Sequence, residues 1–437
     1  MKIAVLGGGT AGFIAAAHMT RYFPKAELWH IYDSRIPTIG VGEGTTPRFP
    51  LWLDEVTGIG PDELGARCGA TVKLGSHYEG WGSHSTGFVN RFQPPRLFGY
   101  HFDAGRVTGI ISDHVRAKQL DARVVSLEAL PSGVAIGFED GSQLDCDYVL
   151  DARGFPAGAW TQAPEDPEII RMDWIPTGRA MVRRLPSSTE TSMSRLIART
   201  HGWIFQIPLR DWTSCGYVFN PSLSSDEDVL ADFDVFLKEE QVEPTEVRVR
   251  VSFPNFMRRN WFDGRIFTIG NAASFVEPLE ATAIGATIMQ VRIAQRWMTD
   301  HHPQCAPDVG AVEHANRTMR SYVLRNSLFI TWHYARGSRW DSPFWNLASR
   351  SLERARGHDY LAGHMNAMTD FLEVGRDLPG TEIGTCTEQE KWEREIMPKL
   401  TKFIPFGNFS ELNFAQVGHG IGYYSANKMS VGDSANG

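Results

Sequence analysis

The sequence predicts an α/β protein in which a Rossmann-type nucleotide-binding domain carries an antiparallel sheet and is followed by a mainly helical module. Three observations predict it. The apolar run Lys2 to Leu6 ends in glycines, as a buried parallel strand does. Ala11 to Tyr22 repeats apolar residues at helical spacing, and Ala26 to Tyr32 reads as a second strand ending at Asp33. Together they make a βαβ unit. Further on, residues 170 to 260 hold strand-like runs such as Arg179 to Leu185 and Cys215 to Phe219, and the pattern turns helical from Val312 to Leu372.

Between these parts, Asp140-Gly141 separates two β-rich runs and signals a hairpin. Its second arm leads through Tyr148 to Asp151 and on to Gly154, a strand returning to the nucleotide domain. Arg265 to Gly270 is another short buried strand, and Ala281 to Met298 reads as a long helix. We therefore divide the chain into residues 1–310, the nucleotide-binding domain with the antiparallel segment inserted at about 160–260, and residues 311–437, a substrate-side helical module. The final 30 residues are rich in glycine and small polar residues and are expected to be partly disordered.

The bulk properties exclude several classes. The chain has 437 residues, of which 42% are hydrophobic and 22% charged, so a core of ordinary size is available. A formal net charge of -8 with scattered basic residues argues against a nucleic-acid surface. Cys68, Cys146, Cys215, Cys305 and Cys386 are far apart, odd in number and without a CxxC, so neither a disulfide framework nor a metal site is expected. Cysteine usage fits a reducing compartment, and no apolar stretch is long enough for a signal-peptide core or a membrane span. A cytoplasmic protein without a membrane partner is the expectation.

Gly7-Gly8-Gly9-Thr10-Ala11-Gly12 satisfies GxGxxG between the first strand and the first helix. Gly7 permits the tight turn, Gly9 lets the backbone approach a pyrophosphate, and Gly12 lets helix and strand pack closely. The helix N-terminus, with Thr10 and Ala11, then faces the phosphates. Asp33 stands at the strand end where a ribose acceptor is needed. A dinucleotide site follows. Two later segments resemble those of FAD proteins: Asp140-Gly141 with Asp147 to Gly154, and Arg265 to Ala273, whose turn carries Gly270-Asn271 in place of the usual Gly-Asp. They point to FAD rather than NAD.

The resemblance then becomes specific. GGGTAGFIAA at the start, IPTIGVGEGTTP at Ile36 to Pro47 (with Gly40, Val41, Gly42 and Glu43), ATVKLGSHYEGW at Ala70 to Trp81, FVEPLEATAIG at Phe275 to Gly285, and FITWHYARGSRWDSPFW at Phe329 to Trp345 are similar to the flavin-dependent halogenases typified by tryptophan halogenases. The similarity runs from residue 1 to about 350. It implies a fold of the glutathione-reductase and monooxygenase type. It also implies a chemistry: reduced FAD and oxygen form a C4a-hydroperoxide, halide attacks its distal oxygen, and the hypohalous acid travels to an electron-rich aromatic, an indole or phenol. Chloride or bromide, a separate flavin reductase and a possible homodimer come with it.

By this resemblance the active-site lysine falls on Lys73 and the glutamate on Glu280. An ammonium is a compact donor whose pKa burial moves easily, suited to holding hypohalous acid. A carboxylate near the reaction accepts the proton lost by the ring. The alternative for Glu280 is a helix N-terminal acid, for Lys73 a solvated surface residue. The family's halide and isoalloxazine contacts fall on Thr282, Ala283 and Ile284. Here Ala281-Thr282-Ala283 replaces the frequent Ser-Thr-Gly, which restricts the backbone. The W-x-W-x-I-P element that shields the flavin falls on Trp203, Phe205, Ile207 and Pro208, with Phe for the second Trp. Trp332 to Tyr334 and Arg339-Trp340 are candidates to line a substrate cavity, His333 being read as structural. His101 is a weaker substrate-side candidate. An FAD monooxygenase and a flavin-binding protein that has lost halogenation are the alternatives. Lys73 discriminates, because hydroxylation does not need it.

Overall fold

The computed structural model describes residues 1–36, 42–82, 87–93, 97–160, 168–303, 308–378 and 407–424. Gly40 and Val41 lie outside them. At the centre is an all-parallel sheet of five strands in the order Ile266–Thr268, Tyr148–Asp151, Lys2–Leu6, Glu27–Tyr32 and Lys118–Asp121. Lys2–Leu6 is its middle strand, which explains the unbroken apolar run. Ile3 and Val5 join the main core on one face. Ala4 and Leu6 on the other are covered by Val134, Ile136 and Phe138. Those residues belong to a three-stranded antiparallel sheet whose strands Gly133–Phe138 and Gln143–Cys146 form the expected hairpin. Gly141 takes φ +83° in its turn, where a side chain is strained.

The second sheet has seven strands: Val247–Ser252, Arg179–Leu185, Thr213–Phe219, Gly202–Pro208, Met193–Arg199, Gly75–Glu79 and Phe88–Arg91. Six adjacent pairs make it up, and only Met193–Arg199 with Gly75–Glu79 runs parallel. Two of its strands come from residues 75–91, so the sheet is stitched to the nucleotide-binding part at two points of the chain. The helix Asp226–Glu239 covers one face through Val229, Phe233, Phe236 and Leu237. Its start is set by Ser225, whose hydroxyl accepts from the Asp228 amide at 3.1 Å. Trp203, Phe205, Ala198 and Val218 on the opposite face join the main core.

A small sheet bridges the two parts. Its central strand Gly99–Asp103 pairs antiparallel with Gly42–Gly44 on one side and Thr71–Lys73 on the other. Helices Thr282–His301 and Val309–Tyr334 complete the core. The first of these starts one residue later than the sequence suggested, because Ala281 is left-handed (φ +53°). The expected disorder of the final 30 residues is corrected for 408–424. Helix Glu411–Gly420 is buried along most of its length, against the strand Phe88–Arg91 and the helix Ala362–Asp377. Its small residues are what permit this close approach: a methyl at Gly420 would fall 2.1 Å from the Phe88 ring. Among the described residues no helix is long and apolar enough to cross a membrane.

Candidate active site

The glycine turn is built as its spacing implies. Gly7 has φ +114°, and a methyl on it would lie 2.5 Å from the Ala152 carbonyl oxygen. A methyl on Gly12 would lie 1.9 Å from the Gly7 oxygen, so strand and helix meet without room for a side chain. His30 Nε2 donates to that same oxygen at 2.9 Å. Gly9, by contrast, has nothing within 4 Å of the Cβ position. It precedes helix Thr10–Tyr22, whose first amides receive no side-chain cap. An open backbone at an uncapped helix start suits a pyrophosphate. Asp33 stands at the end of the second strand, but its carboxylate already receives Arg35 at 2.8 and 2.9 Å, and Arg35 reaches on to Glu139. A ribose hydroxyl there has to share Asp33 with Arg35 or displace it. Gly270 (φ +56°) presses this third turn against the first helix, where a methyl would lie 2.6 Å from Ala11 Cβ. Its amide donates to Gln290 Oε1 at 2.8 Å. Asn271 follows, partly exposed.

Lys73 and Glu280 are both buried, at 2% and 3% exposure. Lys73 Nζ and Ala281, the residue after Glu280, both lie beside Gly44. A methyl there would lie 3.3 Å from Lys73 Nζ and 3.7 Å from Ala281 Cβ. The surface-lysine reading of Lys73 therefore fails. Lys73 ends a strand whose register sets it opposite Gly99, and its ammonium lies 5.6 Å from the Phe92 ring centre. Burial lowers its pKa to about 8, against the pull of Glu280. His101, on the strand beside it, donates through Nδ1 to Thr71 Oγ1 at 3.2 Å, because that hydroxyl's own proton goes to the Pro208 carbonyl at 2.6 Å. Its Nε2 lies 2.9 Å from Ser194 Oγ, and burial with the Lys73 charge holds it neutral, well below the usual histidine range.

Glu280 is not part of the long helix. It sits in a tight turn before it with φ +67°, and Ala281 follows at φ +53°. Two consecutive left-handed residues with side chains cost roughly 1–3 kcal/mol each, and such strain collects at functional sites. The turn aims the carboxylate inward. Tyr78 Oη donates to its Oε1 at 2.5 Å, Asn90 Nδ2 at 2.6 Å, and His333 Nε2 lies 3.1 Å away. Burial pushes this carboxyl up. The His333 hydrogen bond and charge, the Lys73 charge and the Tyr78 hydroxyl outweigh that and hold it below the ordinary carboxylate value. Ala283 lies in the first turn of the helix with ordinary helical geometry, so the methyl that replaces glycine there carries no backbone penalty. Ala283 is exposed, Thr282 and Ile284 are buried, and no side chain caps this helix start.

Three residues before Glu280, Glu277 is fully buried and held otherwise. Tyr334 Oη donates to it at 2.7 Å and Thr177 Oγ1 donates to its other oxygen. Burial raises its pKa to about 7, opposed only by those two hydroxyls. Glu43, half-buried, is also raised to about 7, by burial and by the charge of Asp103. Trp203 Nε1 donates to Tyr334 Oη at 2.9 Å, and the Phe205 ring lies over Gly216, where a methyl would come within 2.2 Å. Gly42 packs against Leu209 and Ser214, the latter paired with Ile207. The strand Gly202–Pro208 thus packs against the Gly42–Gly44 strand.

Sequence reasoning missed Tyr78, Asn90 and the contact role of His333. It also missed Asn413, which donates to Asn90 Oδ1 at 2.9 Å from the C-terminal helix. No local signal marks any of them. They converge from four elements, two adjacent strands and two helices far from them in sequence. Trp332 and Tyr334 are fully buried, and Trp340 donates from Nε1 to the Ala198 carbonyl at 2.8 Å, so these aromatics pack the frame around the site.

A nucleotide-binding sheet, a buried lysine and a carboxylate turned inward by a strained loop define an enzyme of the flavin-dependent halogenase class. The profile of the tryptophan halogenase family matches residues 2–97 and 93–393, and the chain belongs to that family. Tryptophan 7-halogenase RebH of Lentzea aerocolonigenes is 23% identical over 432 residues, covering 82% of this chain and 80% of its own. Tryptophan 6-halogenase ThaL of Streptomyces albogriseolus is 24% identical over 460 residues, covering 88% and 84%. Among solved structures, the lanthipeptide tryptophan 5-halogenase MibH superposes with a TM-score of 0.75 at 20% identity, over 96% of this chain and 85% of that one. At this identity the superposition speaks for the fold.

Proposed function

We propose that this chain is an FADH2-dependent halogenase acting on an electron-rich aromatic of the indole or phenol kind. The observation that carries the reading is a buried, pKa-lowered lysine whose Nζ lies beside Gly44 and which feels the charge of the buried, ionised Glu280, the residue before Ala281 at the same glycine. Hydroxylation has no use for that lysine. Gly7, Gly9, Thr10, Ala11 and Gly12 would hold the FAD pyrophosphate, Asp33 the ribose, and Gly40 to Glu43, Gly270, Asn271 and Ile284 the remainder. Bound reduced FAD supplies the oxygen activation that turns halide into hypohalous acid. The uncapped amides of Thr282 and Ala283 suit the halide.

Lys73 holds the hypohalous acid through Nζ, by a hydrogen bond or as a haloamine, and presents it to the ring. With a pKa of about 8 the amine is available in both states near neutral pH. Glu280 takes the proton that the ring loses. Trp203, Phe205, Ile207 and Pro208 keep the aromatic substrate from the flavin. A separate flavin reductase supplies FADH2. The test is a panel of indoles, phenols and larger aromatics, incubated with reductase, NADH and either bromide or chloride and read by mass spectrometry. Replacement of ring hydrogen by halogen is expected. A mass gain of oxygen alone would mean a monooxygenase.

A further inference from the structure

The donors around Glu280 fix where the protons are. Oε1 already accepts from the Tyr78 hydroxyl and the Asn90 amide. An oxygen so occupied has no room for a proton of its own, so His333 Nε2, 3.1 Å away, donates to it. On the other side of the ring Nδ1 lies 2.9 Å from the Phe329 carbonyl, which only accepts, so Nδ1 donates as well. We propose that His333 is an imidazolium paired with the Glu280 carboxylate, and that it is a positioning residue for halogenation: it fixes Oε1, keeps Glu280 ionised, and leaves Oε2 to take the ring proton. Among the described residues no hydrogen bond reaches Oε2. The proposal rests on the reading of Glu280 as the base.

The packing supports a fixed ring. Tyr78 stacks on the imidazole at 4.9 Å between centres, and Phe329 meets its edge at 4.9 Å. His333 has no exposed surface, and two opposite buried charges in contact cost far less than either alone. The charge balance also explains Lys73. With His333 neutralising Glu280, the lysine feels only part of the carboxylate's pull, and burial prevails. The other titratable groups facing the pair are Tyr78, whose hydroxyl is held protonated by burial and by Glu280, His101 beside Lys73, and Glu277 behind Tyr334.

The test has two arms. In protein labelled with 15N-histidine and free of flavin, both ring nitrogens of His333 should carry protons at neutral pH, the signals being assigned by their loss in His333→Gln. In Glu280→Gln, Nε2 should lose its proton. A bare Nε2 in the unaltered protein overturns the proposal. In turnover, His333→Gln still offers a donor but no charge. Its kcat should fall roughly 100-fold with KM nearly unchanged, and the acid limb of its pH profile should move up as Glu280 becomes easier to protonate. An unchanged kcat and pH profile would equally overturn it. The labelling arm needs no turnover, so it judges the pair even if the protein makes no halogenated product, a result that would instead remove the proposed function.

Discussion

Glu277 and Glu280 are both buried in one turn, yet the first is raised to about 7 and the second is held below its ordinary value. The donors account for it. Glu277 has two hydroxyls; Glu280 has a hydroxyl, an amide and an imidazole, with Lys73 nearby. This gives a stability prediction for Glu277. Its carboxyl binds a proton up to about pH 7 when folded but only to about 4.5 when unfolded, so the folded state holds the extra proton across that window. The stability it lends is therefore present at low pH and lost as pH rises through the window. Glu277→Gln removes the penalty and preserves an acceptor for Tyr334. Its melting temperature relative to the unaltered protein should climb from about pH 5 to about pH 8 and then level. A difference independent of pH would show that Glu277 is not protonated as described. None of this was legible in the sequence. Glu277 reads there as a flavin-side acid secondary to Glu280, and His333 as a structural histidine, because the partners of each come from other elements.

At the scale of elements, what the sequence disclosed and what it hid follow one rule. The inner parallel strand Lys2–Leu6 was legible because burial on both faces leaves an unbroken apolar run, and Gly7 and Gly12 because backbone contact there admits no Cβ, whereas the exposed edge strand Lys118–Asp121 carries no such signal. The Glu280 turn was hidden, since a left-handed Glu-Ala pair is disfavoured locally and persists only through the donors that hold it. Helix Glu411–Gly420 was hidden because its composition suggests a tail and its burial is wholly tertiary. The glycine turn offers the cleaner test. Gly12→Ala puts a methyl 1.9 Å from the Gly7 oxygen, so the strand and helix must separate. Flavin binding, followed by fluorescence quenching, should fall by at least an order of magnitude, as expected when an aligned phosphate site is displaced. Undiminished binding would remove the turn from the cofactor site.

The whole molecule brings helix Glu411–Gly420 onto the first third of the chain. Asn413 donates to Asn90, which donates to Glu280, and Gln416 accepts from the Arg91 amide at 2.9 Å. The carboxylate is thereby tied to the C-terminal helix as well as to Val309–Tyr334. Asn413→Leu should lower kcat about tenfold through misplacement of Glu280 while flavin affinity holds. A parallel loss of flavin would instead mean that the helix supports the fold as a whole. Delivery of the halogen by Lys73 is central to the proposed function. Its most direct test is product mass from Lys73→Ala, with flavin loading shown equal to that of the unaltered protein, given reduced flavin, bromide and an accepted aromatic. Brominated product should disappear while NADH and oxygen are still consumed. Brominated product at the unaltered rate would contradict it.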